Sequence, residues 1–587
     1  MRKVKQKEGS NGMYLKKFIA GIMAVSMMIS IVACGTNKAT DPSTGNTSTA
    51  ANTEAVQSSI AEKADPFGRY EEPVTIRVVR SLDPNVKFDE GQSIEKNGFI
   101  DEIKKQFNID VKIDWIAAPG NDFDQKLSLS ISSNSLPDAL MVNMTQFSSM
   151  NKYDQIADLT STYNDYASDL LKAFYKSGGD SLKKLVEIDG KVKGIPATTP
   201  KANGFNEMWI RQDWLDKLGL SAPKNLAELR EVAKAFVEKD PDGNGKKDTI
   251  GIGGPSKQQR IAQPDGNQFG LDPIFGAHKS FPTYWLKDGN GQVTYGSIQP
   301  ETKQALQTLH DLYKDGLIDK EMLIRDDSMQ PALDNKTGIF FGPWWVGYNL
   351  ADAYKKNPAP DWQAYAYPEA DDGNYYVHMA SPATSFLVVN KNYKNPEAAV
   401  KIINLLLRDE AKWIESGLSK GSGTGGSYPL FGVFDNVDEL EASYDILSRY
   451  MKGEITINNV DFSTHKLLRG DMEAITKLKK EPKDNYSINN WDLSSELVTS
   501  NLPRLISIMV GDRPLSTGKN IKEIYSLYYG TTDTMTSKWA SLQKLEQESF
   551  AKAIMSTDVD STFDEFVKNW KAQGGDKIIS EIAEIAK

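Results

Sequence analysis

The sequence predicts an α/β protein with more than one hydrophobic core, and three observations carry that expectation. Short β-branched runs alternate with amphipathic stretches along most of the chain. The length, 587 residues, exceeds what a single core ordinarily organises. The only cysteine, Cys34, lies near the start, so no disulfide within the chain replaces a core.

The first run, Val74-Thr75-Ile76-Arg77-Val78-Val79, suits a buried strand. Phe99, Ile100, Ile103 and Phe107 then recur at helical spacing, and a second strand is expected over 111–116. A helix over 123–131 and the strand Ala139-Leu140-Met141-Val142 follow. Strand–helix–strand alternation predicts a parallel-rich sheet with helices on its faces. The pattern continues with a strand at Ile195, a helix over 225–238, a strand near Ile250, a helix over 302–315 and a strand over 338–341. After residue 396 helices dominate, beginning with 396–407. The amphipathic segment 563–573 stops at Gly574-Gly575. The chain has no internal repeat.

Composition places the chain among soluble globular proteins, with 39% hydrophobic and 25% charged residues. The net charge of -10 argues against nucleic acid as a partner. The N-terminus reads as a secretory signal: Arg2, Lys3, Lys5, Lys7, Lys16 and Lys17 precede an apolar run over 18–33. That run is short for a bilayer span, which needs ~20 residues. It ends in Ile31-Val32-Ala33-Cys34-Gly35, which resembles a bacterial lipobox, so Cys34 is expected to carry a diacylglycerol anchor outside the cytoplasm. Either Met1 or Met13 satisfies the signal as a start. From Gly35 to about Asp65 the chain is rich in Thr, Ser, Asn and Ala, the composition of a flexible tether.

Two constellations suggest binding. In Asp240-Pro241-Asp242-Gly243-Asn244-Gly245-Lys246-Lys247-Asp248, oxygen side chains fall at alternate positions around a glycine turn, as in a calcium loop. Asp240, Asp242, Asn244 and Asp248, with the Lys246 carbonyl, form the expected ligand set for a structural Ca²⁺. Gly251 stands at position 12, where such loops carry glutamate, so weak affinity is expected; the alternative is a solvated turn. The second constellation is Gly342-Pro343-Trp344-Trp345 after the apolar run Ile339-Phe340-Phe341. An indole at a strand exit offers a flat apolar face and one N–H donor, which suits the C–H face and hydroxyl edge of a sugar. Strand alternation puts one of the two indoles in the core. Trp209, Tyr284 and Trp285 are further candidates for the same role.

Enzyme-like patterns do not hold up in context. Gly417-Leu418-Ser419-Lys420-Gly421 fits G-x-S-x-G, and residues 421–426 fit G-x-G-x-x-G, but no strand precedes either. The histidines, His278, His310, His378 and His465, lack metal-ligand spacing. No catalytic residues are expected. No P-loop is present either.

Several stretches resemble the family 1 extracellular solute-binding proteins. They are Leu136-Pro137-Asp138-Ala139, Asp189-Gly190-Lys191-Val192-Lys193-Gly194-Ile195-Pro196, Trp209-Ile210-Arg211-Gln212-Asp213-Trp214-Leu215, the Gly342–Trp345 element, Asn395-Pro396-Glu397-Ala398-Ala399 and the closing 563–575. The resemblance spans about 70–587 and is nearest the long lipoproteins for complex or uronic-acid-containing oligosaccharides. It implies a two-lobed, hinge-linked periplasmic-binding-protein fold of type II with ligand in the cleft between the lobes. Expected divisions are a signal over 1–33, lipidated Cys34 and linker to 69, a first lobe over 70–198 and 385–500, a second lobe over 199–384, and a C-terminal helical segment over 501–587, mostly in the second lobe. In the family's G-P-W element the tryptophan lies against the sugar, a role Trp344 inherits. The loops after Val79 and Val142 would face the cleft, which nominates Arg80, Asp83, Asn143 and Gln146. The calcium loop resembles that of alginate-oligosaccharide binders, with Thr249 where they carry glutamate. The implied function is oligosaccharide capture for an ABC importer whose permease and ATPase are separate chains, by a monomer on the outer membrane face. A peptide- or amino-acid-binding importer subunit and a surface-anchored carbohydrate-active enzyme stay open as alternatives.

Overall fold

The computed structural model describes residues 64–586 apart from 89, 264–265, 357–359, 416–429, 433–435, 463–464, 466 and 476–495. Cys34, the signal over 1–33 and both glycine-rich patterns over 417–426 lie outside the described residues.

The chain lays down β1 (Val74–Ser81), α1 (Gly98–Phe107), β2 (Ile109–Ala117), α2 (Asn121–Ser132), β3 (Ala139–Asn143) and α3 (Met144–Lys152). It continues with β4 (Ile195–Thr198), β5 (Glu207–Arg211), α4 (Leu226–Glu238), β6 (Ile250–Ile252), α5 (Pro300–Lys314), β7 (Thr337–Gly342), α6 (Val346–Lys356) and β8 (Trp362–Tyr365). Then come β9 (Ala383–Val389), α7 (Glu397–Arg408), α8 (Glu439–Met451), α9 (Glu496–Ile506), α10 (Asp533–Met555), α11 (Val559–Trp570) and α12 (Asp576–Ile585).

The first lobe grows from the β-branched runs. β1 pairs in parallel with β2, and β9 runs antiparallel between β3 and β4. Ile76, Val78, Leu140, Val142 and the run Phe386 to Val389 share one core. α1 forms because Phe99, Ile103 and Phe107 bury one face, while Asn97 caps it by accepting from the Phe99 and Ile100 N–H groups.

The second lobe is built on a sheet ordered β8-β5-β7-β6 and buried on both faces. Met208, Ile210, Ile339 and Phe341 face a core shared with α4, α5 and the helices α10 to α12. Trp209 and Phe340, one residue out of phase, face a separate core shared with α6, α8 and α9. A strand buried on both faces reads as a continuous apolar run, which is why Ile339-Phe340-Phe341 shows no polar alternation.

The sheets are mixed, not parallel-rich. β5 runs antiparallel to both β7 and β8, and β9 antiparallel to β3 and β4. The reason lies at the crossings. The chain leaves the first lobe through β4 and returns through β9, side by side in opposite directions, with the Thr199 N–H donating to the Pro382 carbonyl at 3.2 Å. A third crossing joins them where the Lys201 N–H donates to the Val437 carbonyl at 2.8 Å.

That third crossing moves one expected boundary. Among the described residues the first-lobe core ends at Phe431, and Leu440, Leu447, Met472 and Leu505 share the core of Trp209 and Phe340. The segment assigned to the first lobe up to residue 500 therefore ends some sixty residues earlier. Leu542, Phe550, Phe566 and Trp570 of the C-terminal helices share the core that Met208, Ile210, Ile339 and Phe341 face.

Candidate functional site

The loop leaving β7 carries Trp344 and Trp345, both half-buried. Gly342 is needed before it, because a Cβ there would stand 2.8 Å from Val346 Cγ2. The Trp344 indole Nε1–H donates to Asn203 Oδ1 at 2.9 Å, and its ring meets Tyr348 edge-on at 6.2 Å. Asn203 belongs to the first crossing, so the indole is tied to the connection between the lobes. The exposed Asn349 on α6 accepts from Gln268 Nε2 at 2.7 Å. Gly266, at φ +74, passes so close beneath Asn203 that any side chain would overlap its carbonyl oxygen.

Arg260 and Gln263 line a cavity of about 360 Å³. Its walls are aromatic: Tyr284, Trp285, Tyr528, Tyr529 and Trp539, with Arg260 at one side. Met535, Trp539 and Gln543 reach it from α10 because a spacing of four puts them on one helix face. Trp285 and Trp539 lie 5.7 Å apart, and both pack on Tyr295. The Tyr284 hydroxyl donates to the Met379 carbonyl at 2.5 Å, which fixes the ring against the second crossing. Thr283 holds φ +70, an unusual conformation for a β-branched residue, and lines the same cavity. With the Gln543 amide oriented to satisfy its neighbours, its oxygen accepts from Trp539 Nε1 and Arg260 Nη1, each at 3.1 Å. Below the cavity Glu546 is fully buried and accepts from the Tyr295 hydroxyl at 2.7 Å. Burial pushes its carboxyl up to about 7, against hydrogen bonds from Tyr295 and Ser297 and the nearby Arg260 charge.

The first lobe meets this face at the N-terminus of α10. Thr145 Oγ1 lies 2.8 Å from Thr531 Oγ1, and Lys152 pairs with Asp533 at 2.5 Å.

The other nominated residues are placed as follows. Trp209 is a core residue: it is fully buried, its ring lies parallel to Phe340, and its Nε1–H donates to the Gly342 carbonyl at 3.2 Å. It offers no face to a ligand, because the strand it sits on has a core on each side. Asn143 and Gln146 form a reciprocal cap on α3, each side chain accepting from the other's backbone N–H, and Gln146 Nε2 also donates to Asp124. Asp83 accepts from the Asn85 N–H at 2.8 Å in a local turn. Arg80 is buried at the end of β1, where desolvation pulls its guanidinium down to about 10. Tyr284 and Trp285 do line the cavity. Arg260, Tyr528, Tyr529 and Trp539 are additional wall residues; the α10 spacing and the Tyr528-Tyr529-Gly530 doublet were the available signals.

The 240–248 loop has the turn of a cation-binding loop. Asp240 accepts from the Asn244 and Gly245 N–H groups at 3.2 and 2.9 Å, with Gly243 and Gly245 both at positive φ. The Asn244 amide donates to Asp242 at 2.6 Å and to Asp248 at 3.0 Å, and the Lys246 N–H donates to Asn244 Oδ1. Asp240 and Asp242 share a hydrogen bond: it holds Asp240 below the usual carboxylate range, while desolvation and Asp240 raise Asp242. A cation would relieve that crowding, so the donors fit a hard cation in kind. They fall short in number, since Gly251 brings no side chain and Lys336 already pairs with Asp248 at 3.2 Å. Among the described residues no group of three or more His, Cys, Asp or Glu is arranged to hold a metal.

Residues 91–413 match the family described as bacterial extracellular solute-binding protein. The polygalacturonan/rhamnogalacturonan-binding protein YtcQ of Bacillus subtilis (strain 168) is 25% identical over 509 residues, covering 84% of this chain and 89% of that protein. Among solved structures, an extracellular solute-binding protein from Bifidobacterium longum subsp. infantis superposes with a TM-score of 0.56 at 18% identity, over 88% of this chain and 98% of that one. The S. pneumoniae substrate-binding protein FusA, as an EF-hand mutant in complex with fructo-nystose, superposes with a TM-score of 0.52 at 17% identity, over 87% of this chain and 98% of that one. These structures share the two-lobed α/β fold. With the family match spanning more than half of its length, the chain belongs to the bacterial extracellular solute-binding proteins.

Proposed function

We propose that this chain is the substrate-binding subunit of an ABC importer that captures an oligosaccharide, uronic-acid-containing ones included, outside the cytoplasmic membrane. The observation that carries this reading is the aromatic cavity walled by Tyr284, Trp285, Tyr528, Tyr529 and Trp539. Flat rings interspersed with amides suit sugar rings, and the cavity lies beside the point where the first lobe touches the second through Thr145 and Lys152. The name of YtcQ, a polygalacturonan/rhamnogalacturonan binder, agrees with an acidic cargo. Contacts to both lobes exist only when the cleft closes, so ligand shifts the population toward closed, and the closed form delivers to a separate permease.

The family is one of binding proteins, and the reading is of a binding protein and not an enzyme. Cys34 would hold the protein to the outer membrane face through its lipid, working as a monomer. Among the described residues no helix is long and apolar enough to cross a membrane. The loop formed by Asp240, Asp242, Asn244, Lys246 and Asp248 would hold Ca²⁺ weakly, in a bracing role; FusA is described as having an EF-hand. The test is calorimetry of purified protein with neutral and uronic-acid oligosaccharides beside peptides. Heat with saccharides alone supports the reading, whereas heat with peptides alone moves it to a peptide importer, and release of reducing ends would make the protein an enzyme.

A further inference from the structure

The aromatic cavity has an uneven charge. Among the described residues that line it, Arg260 is the only ionised side chain, and no Asp or Glu joins it. The other polar groups there are neutral, chiefly Gln263, Gln543 and Ser526. A single cation against uncharged rings, in a chain of net charge -10, singles out an anionic partner.

The guanidinium is also aimed. Its Nη1 donates to the Gln543 oxygen that also accepts from Trp539 Nε1, so the arginine and the indole wall are fixed to one another. Its backbone carbonyl accepts from Asn267 Nδ2 at 2.6 Å, which pins the segment that carries it. Among the described residues no ion pair is made by Arg260, and the Glu546 carboxyl within its electrostatic reach lies beneath the wall, held by Tyr295. A planar fork with donors to spare matches a carboxylate in two-pronged fashion, which a lysine does not reproduce. A cavity of about 360 Å³ accommodates the end of an oligosaccharide and not its length.

We propose that Arg260 is a specificity-determining residue of this site, pairing through its guanidinium fork with the carboxylate of a uronic-acid unit seated between the Trp285 and Trp539 walls. This rests on the saccharide-binding reading above and adds to it which residue reads the acid group and where. The sugar ring would supply the contact with the indoles, and the carboxylate the orientation.

The test is calorimetric titration of the full chain, purified in detergent, with trigalacturonate and with its carboxyl-reduced, neutral counterpart. The wild type is expected to prefer the acidic trisaccharide, with a preference that shrinks as salt rises. Arg260→Gln should lower affinity for trigalacturonate by roughly ten- to hundredfold while changing the neutral sugar's affinity by less than about threefold. Arg260→Lys keeps the charge beside Glu546 and guards against misfolding; it should recover only part of the preference. Trp539→Ala should weaken both sugars. Equal losses for both sugars in Arg260→Gln and Arg260→Lys, or no loss in either, overturn the role of Arg260 while leaving saccharide binding intact. A wild type that binds neither sugar but does bind peptides overturns the saccharide reading itself, and this assignment with it.

Discussion

Glu546→Gln should make the protein more stable at pH 8 and no more stable at pH 4.5. The carboxyl is fully buried, and burial raises it to about 7 from an ordinary value near 4.5. Below pH 4.5 it is protonated in both folded and unfolded chains and contributes no pH dependence. Between 4.5 and 7 the unfolded chain releases the proton while the folded chain keeps it. The folded state then binds more protons, so stability falls as pH rises through that window. Above 7 the full penalty is present. A difference of about 2.5 pH units corresponds to roughly 3 kcal/mol.

Glutamine removes the charge but keeps an oxygen for the Tyr295 hydroxyl, now 2.7 Å from the carboxylate. Urea unfolding followed by tryptophan fluorescence at pH 4.5, 6, 7 and 8.5 reads the difference between the two proteins. Glu207 and Asp512 are also buried carboxyls pushed well above the usual range, chiefly by desolvation, but they are common to both proteins and cancel in the difference. The gap should open from near zero at pH 4.5 to roughly 3 kcal/mol at pH 8.5. A gap that is constant with pH, or that favours the wild type at high pH, would refute the burial argument. The same substitution should strengthen binding of an acidic sugar above pH 7, because it removes a negative charge near Arg260.

Other expectations follow from the same geometry. Trp344→Ala should weaken saccharide binding by about tenfold or more while leaving the thermal midpoint nearly unchanged; unchanged affinity by calorimetry removes Trp344 from the site. Gly347→Ala should destabilise by about 1–3 kcal/mol, since the new Cβ would stand 2.6 Å from the Ser507 backbone nitrogen; denaturant titration checks it. Calcium at about 1–10 mM should raise the thermal midpoint of the wild type and not of Asp240→Asn. A rise that survives in Asp240→Asn would place the ion elsewhere.

Much of the fold was legible because local period determines local structure. Phe99, Ile103 and Phe107 predict α1, and the β-branched run at 74–79 predicts β1, since each buries the face its period exposes. Strand direction was not legible, because whether β9 runs with or against β4 depends on which end of the lobe the chain re-enters. The amphipathic face of α8 shows that it packs, but not that its partners are Leu505 and Met509 of the second lobe. Trp209 misled for a related reason: alternation cannot separate a strand with one solvated face from a strand with a core on both. Asn143 and Gln146 were different. Their three-residue spacing before a helix is a cap signature that could have been read from the sequence.

The site itself needed the structure, because its walls come from segments far apart in the chain and meet at the crossings. Trp344 is bonded to Asn203 on the first crossing, and Tyr284 and Tyr529 both donate to the Met379 carbonyl just before the second crossing returns to β9. The aromatic residues are thus hydrogen-bonded to the crossing segments. A ligand held by the second lobe alone would bind open and closed forms equally and move no population, however tightly it bound. What drives closure is the additional interaction a sugar makes once the first lobe arrives. At the α10 N-terminus, beside the cavity residues Tyr529, Gly530 and Met535, Thr145 meets Thr531 and Lys152 meets Asp533. On the proposed reading, attachment of the walls to the crossings would let a small movement of the sugar bias the hinge and so signal occupancy to a permease.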